Sequence, residues 1–201
     1  SARLFRLSIS IQKGRSSVVD LIARSPVARL LPVSALGAAL NEVTPAYLTL
    51  VQPYAGQMAN LEKAMKAAHG LDLPSPGNTT TEDALRLVWF ARQQYLLVGD
   101  RPADVALAKH AALIDQSDAW VTLHLTGDDA AAVLARHCPL DLRKGRFAPG
   151  QTARAPVAHL PSVVTRLSDG FEIMLMQSLA TSGVHHLADT IRSVAGQKSL
   201  R

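Results

Sequence analysis

A single cysteine in 201 residues, Cys138, excludes an internal disulfide and points to a reducing compartment. Aromatic side chains are nearly as scarce, at 4%, so the interior has to be filled by aliphatic residues and alanine. Charged residues reach only 18% against 48% hydrophobic, the reverse of what keeps a chain disordered. No apolar run approaches the roughly 18 residues of a membrane span. Arg3 and Arg6 are followed by mixed polar residues rather than by the apolar stretch of a secretory signal. The reading is a cytoplasmic chain, trimmed of its initiator methionine ahead of Ser1. The 12 glycines contain neither a Gly-x-Gly-x-x-Gly fingerprint nor a Walker-type loop, which argues against a dinucleotide or nucleoside triphosphate cradled in the usual way.

Net charge is +5, and it is unevenly spread. Within residues 1–45, Arg3, Arg6, Lys13, Arg15, Arg24 and Arg29 stand against only Asp20 and Glu42, so the remainder is close to neutral. A nucleic-acid face would spread its charge over a folded surface with aromatics to stack on bases. Here the excess sits in a stretch without a sustained period, interrupted at Ser25-Pro26 and Leu31-Pro32. Residues 1–45 therefore read as an extended arm with a short helical segment at Val18–Ala23.

From Ala46 the pattern becomes regular. Ala46–Val51 reads as a strand, and a helix follows with Met58, Leu61, Met65 and Ala68 on one stripe and Gly70 as its cap. Leu71–Asn78 is a loop by composition, and Ala84–Arg92 with Gln94–Val98 is a hairpin turning at Arg92-Gln93. A second helix is expected from Gly99-Asp100-Arg101-Pro102, capped by Asp100, with Ala103, Ala106, Leu107, His110 and Ala111 on its stripe. The order β-α-β-β-α then recurs. Trp120–Thr126 alternates as a strand, and Gly127-Asp128-Asp129 opens a helix whose stripe is Ala130, Val133, Leu134, His137 and Cys138. Strands at about Thr152–His159, Val163–Leu167 and Phe171–Met176 precede a last helix carrying Leu179, Gly183, Leu187, Ile191 and Val194. The fold class predicted is α+β: two tandem ferredoxin-like halves, 46–114 and 115–197 within a single domain 46–201, related by a pseudo-two-fold.

Side chains able to do chemistry are present, but in patterns that structure explains. His185 and His186 are neighbours on a helix and point about 100° apart, so they cannot chelate one ion from the same turn. His137 and Cys138 are expected on a buried stripe. His124, on a strand face, is the histidine most open to a role, with no partner readable from spacing. Asp115 and Asp118 read as turn carboxylates ahead of a strand, and Asp141 as a turn or cap residue. Asp128 and Asp129 at a helix start would repel a phosphate there. No nucleophile, base and orienting acid come together, so no catalytic, cofactor-binding or metal residue is assigned.

Four segments resemble a known family. They are Arg24-Ser-Pro-Val-Ala-Arg-Leu30, Asp115-Gln-Ser-Asp-Ala-Trp120, Leu134-Ala-Arg-His-Cys-Pro-Leu-Asp-Leu142, and Phe147-Ala-Pro-Gly150 followed by Thr152 and Arg154. Over most of residues 24–190 the chain is similar to the gamma subunits of heterotetrameric sarcosine oxidases, which share the folate-binding-like fold of an aminomethyltransferase. The resemblance implies a non-catalytic subunit packed against larger ones. Those partners would carry FAD, FMN, NAD and tetrahydrofolate and would oxidise a secondary N-methyl amine. At Gln177–Ser182 the chain departs from the aromatic-rich helix start common in the family. The alternative is a free-standing tetrahydrofolate-binding or one-carbon-transfer module.

Overall fold

The computed structural model describes residues 24–200. Strands are β1 (Val33–Ala35), β2 (Ala38–Val43), β3 (Tyr47–Pro53), β4 (Thr79–Glu82), β5 (Leu85–Ala91), β6 (Gln94–Gly99), β7 (Ala111–Asp115), β8 (Trp120–Thr126), β9 (Thr152–Val157), β10 (Leu160–Arg166) and β11 (Gly170–Met176). Helices are α1 (Met58–His69), α2 (Ala130–Leu134) and α3 (Gln177–Ser199), and Val105–Lys109 forms a short 3-10 turn. The fold is α+β, with every strand pair antiparallel.

One sheet has the order β1-β2-β8-β11-β10-β9, the other β4-β5-β6-β3-β7. The connections match. Starting at β3 the neighbours are β6, β5 and β4, and starting at β8 they are β11, β10 and β9. The other flank of the starting strand is taken by β7 in the five-stranded sheet and by β2 in the six-stranded one. The six-stranded sheet thus borrows its strand from the beginning of the chain.

Residues 33–43 correct the sequence reading. They lie in a segment expected to be an arm, yet they form β1 and β2, and Leu40 and Val27 are fully buried. Two strands of three and six residues are too short to declare a period, and β2 finds its partner β8 some 80 residues on. The expected helix at Val18–Ala23 lies outside the described residues. Two other expectations change. The helix predicted from Gly99 is only the 3-10 turn, its first amides capped by Asp104 Oδ1 accepting from Ala106 N at 2.7 Å, and Ala111 opens β7 instead. The helix from Asp129 lasts five residues, with His137 and Cys138 in the turn that follows. Directly after the Leu71–Asn78 loop, Thr79–Glu82 forms β4, anchored where Thr79 N donates to Gly150 O at 2.8 Å and Thr152 N to Gly77 O at 2.9 Å.

Alternation along the strands builds three cores. Val121, Leu123 and Leu125 of β8 and Phe171, Ile173 and Leu175 of β11 pack under α2 and α3 with Ala180, Val184, Leu187 and Ile191. Val51, Leu85, Leu87, Tyr95 and Leu97 pack under α1 with Leu61 and Met65. The opposite faces meet: Leu48, Val88, Leu96 and Val98 of one sheet lie against Val163 and Met174 of the other. Each buried aliphatic contributes about 1.5–3 kcal/mol of transfer free energy. The layers therefore run helix, sheet, sheet, helix. Among the described residues, no helix is long and apolar enough to cross a membrane.

Candidate functional site

The inner faces of the sheets are not wholly apolar. Asn41, His124, Glu172, Thr165 and Thr152 pair laterally across β2, β8, β11, β10 and β9, making a polar row across the six-stranded sheet. Thr152 Oγ1 and Thr165 Oγ1 satisfy each other at 3.1 Å, both nearly inaccessible. Arg86, projecting from β5 of the facing sheet, bonds Glu172 through Nη2. Both partners are largely covered, their side chains 18% and 10% exposed, and Arg86 Nε is buried without an acceptor. This ion pair joins the two sheets in a setting where screening by water is weak.

Beside it the sheets part into a cleft of about 700 Å³. One wall comes from the five-stranded sheet: Thr81, the β4–β5 turn with Asp83, and the end of β6 at Gly99 and Asp100. The other is the end of β10 at Arg166 and the turn after it, with Leu167 and Ser168, and Thr44–Ala46 closes one end. Arg166 lies over the Phe171 ring, its guanidinium carbon 4.4 Å from the centroid. Gly99 is required at this rim. A Cβ there would sit 2.8 Å from Ala84 O and 2.4 Å from Leu85 Cδ2. Arg86 and Arg166 each stand in a strand with no neighbouring motif, so spacing alone gave no reason to select them.

The residues weighed in the sequence fall elsewhere. His124 is on the face that carries Glu172, and its Nε2 is 3.2 Å from Asp169 Oδ1 in the turn between β10 and β11. Asp115 Oδ1 accepts from Ser117 N at 2.9 Å and from its Oγ at 2.7 Å, and these bonds hold its carboxyl below the usual range. Asp141 is clamped by Arg143, which lowers it to about 2. Both are turn carboxylates, as their spacing suggested. Cys138 is buried and its thiol is pushed up by that burial. His137 Nε2 lies 2.6 Å from Thr190 Oγ1; burial, then the neighbouring His186, depresses its pKa. Asp129 accepts no capping bond at its helix start. Its Oδ2 instead meets Lys198 Nζ at 2.6 Å in an ion pair, outside hydrogen-bond geometry. Among the described residues, no group of three or more His, Cys, Asp or Glu side chains is placed to hold a metal.

The cleft brings charged side chains and the hydroxyl groups of Thr44, Thr79, Thr81 and Ser168 to the seam of two sheets. The same layered arrangement occurs in a solved enzyme. A chain of the heterotetrameric sarcosine oxidase from Corynebacterium sp. U-96, solved in complex with pyrrole 2-carboxylate, superposes with a TM-score of 0.74. The fold is shared. The match covers 86% of this chain and 96% of that one, at 23% sequence identity. No family model matches the sequence, and neither does any curated protein.

Proposed function

We propose that this chain is the small, gamma-type subunit of a cytoplasmic, sarcosine-oxidase-like heterotetramer, and that it stabilises the assembly without catalysing the reaction itself. In that reading larger subunits hold FAD, FMN, NAD and tetrahydrofolate and oxidatively demethylate a secondary N-methyl amine. The observation that carries the proposal is the shared fold, which takes in nearly the whole length of a chain from such an enzyme. We also read the two sheets as ferredoxin-like halves of an internal repeat related by a pseudo-two-fold. The matched strand orders support this.

Co-expression with the large subunits of a sarcosine-oxidase-like enzyme tests the role. The expected result is one assembly of constant stoichiometry that carries flavin absorbance and loses solubility or activity when this chain is omitted. A chain that elutes alone in the presence of those subunits removes the proposal. Tetrahydrofolate bound by the isolated chain would favour the free-standing one-carbon module.

A further inference from the structure

We propose that the join between the turn after α2 and the flank of α3 is an acid-sensitive latch, closed while His137 and His186 share no more than one proton and released when both carry one. The inference goes beyond the subunit role and does not depend on it.

Two consecutive residues make the join. The His137 ring stands between Thr190, with Nε2 2.6 Å from Oγ1, and the His186 ring, whose centroid is 5.9 Å away. Arg136 reaches further along the same helix, donating from Nη1 to Ser193 Oγ at 3.1 Å and from Nη2 to Gln197 Oε1 at 2.7 Å. Positions 186, 190, 193 and 197 recur at helical spacing, so these contacts form one polar stripe along α3. The neighbouring stripe of Leu187, Ile191 and Val194 is buried and holds the helix on its sheet. The helix is therefore anchored by its core face, and the turn grips it through two polar side chains alone.

Charge decides when that grip fails. His137 meets His186 from α3, His159 from the turn between β9 and β10, and Arg136 from its own segment. Arg136, His137, His159 and the buried Cys138 line one cleft of about 400 Å³. None of the six ion pairs among the described residues includes Arg136, His137, His159 or His186. Asp189, one turn from His186, is taken by Arg192 at 2.9 Å, and Asp129 by Lys198. One proton can reside on the exposed His186. A second has to enter the half-buried His137 beside a charged neighbour, so the pair titrates in two separated steps. Burial, then His186, depress the pKa of His137; Arg136 and His159 add to this, and a main-chain hydrogen bond at His186 opposes it. The folded value thus lies below the ordinary one of about 6.5. The closed join is favoured above that pH and loses its advantage as pH falls through the folded value. Release carries the turn away from α3 and uncovers the Cys138 sulfur beside it.

The test follows reaction of Cys138, the sole cysteine, with a pyridyl disulfide on the full chain from about pH 7.5 to about pH 5. Each rate is divided by that of a free thiol under the same conditions. The corrected rate should rise toward acid by roughly tenfold more than protection is lost at the amides of Leu123 and Ile173, which report opening of the whole fold. His186→Gln, at an exposed position, should abolish most of that excess without moving the melting temperature at neutral pH, whereas His185→Gln next to it should leave the excess in place. A flat corrected rate, a rise matched by the loss of protection at Leu123 and Ile173, or an unaltered rise in His186→Gln would overturn the proposal.

Discussion

Arg86 and Glu172 illustrate how much one pair of side chains contributes to joining two sheets. Removing one partner leaves the other charged and largely buried, a loss of roughly 3–5 kcal/mol, whereas replacing both with apolar residues of similar volume is often close to neutral. Arg86→Met should therefore lower the urea midpoint far more than Arg86→Met combined with Glu172→Leu. Single and double variants of equal stability would show that the pair is solvated. His69 gives the pH dependence. It is buried, its Nε2 accepts from Asp104 N at 3.1 Å, and its pKa is lowered by desolvation and then by Arg101, with Asp104 opposing. Its folded pKa lies below the unfolded value of about 6.5. The stability tied to the neutral ring is thus present above pH 6.5 and lost as pH falls through the folded pKa. Unfolding followed between pH 7 and 5 should show this loss, and His69→Gln should flatten the profile. Cys138 should react with a thiol reagent only as fast as the protein opens, since burial both covers the sulfur and disfavours its thiolate.

Elements are held by close backbone approaches as much as by propensity. At Gly127, between β8 and α2, φ is +102°, and a Cβ would lie 2.4 Å from Gly37 O. The β1–β2 turn presses on it there: Asp129 N donates to Gly37 O at 2.8 Å, and the Asp129 carboxylate reaches Lys198 in the last turn of α3. Three segments distant in sequence meet at this point. Gly127→Ala should cost more than about 2 kcal/mol, adding left-handed backbone strain to a clash with main chain that cannot rotate away. A denaturation midpoint within error of the parent would show that the turn can shift. The length of α2 follows the same logic. Its stripe runs on from Ala130 to Cys138, but Pro139 lies just beyond and Ala158 N donates to His137 O at 3.1 Å, so the chain turns after one helical turn.

For the molecule as a whole, the two sheets share a core and two edges. Val163 and Met174 fill the face opposite Leu48, Val88 and Leu96, while β4 and β9 are tied by backbone bonds around the Asn78–Gln151 bridge. Neither sheet can lose its partner without exposing that face, so the halves should unfold as one unit. Trp89 packs on the helix-covered side of the five-stranded sheet and Trp120 at the seam, within 5.9 Å of Phe90. Fluorescence of Trp89→Phe and Trp120→Phe, reporting one tryptophan each, should give coincident transitions that also match far-ultraviolet circular dichroism. Separate midpoints would mean independently stable halves.

The strands β3, β5, β6, β8, β9, β10 and β11, the helices α1 and α3, and the hairpin at Arg92-Gln93 were legible in the chain from apolar or periodic runs bounded by turn residues. Gly70 marked the end of α1 through its left-handed backbone, as expected of a C-terminal cap. Asp115 and Asp141 likewise announced local turns, since their partners lie two residues away. What tertiary structure alone decided was everything whose partner is remote. Residues 33–43 are strands only because β8 offers them an edge, and β7 is a strand rather than helix because β3 does. His124 gained Asp169 across 45 residues, and Arg86 gained Glu172 across 86. The cleft combines residues from both sheets, so its walls come together only once the sheets have packed. Periodicity is a property of neighbours along the chain. A site built across a seam between sheets has none.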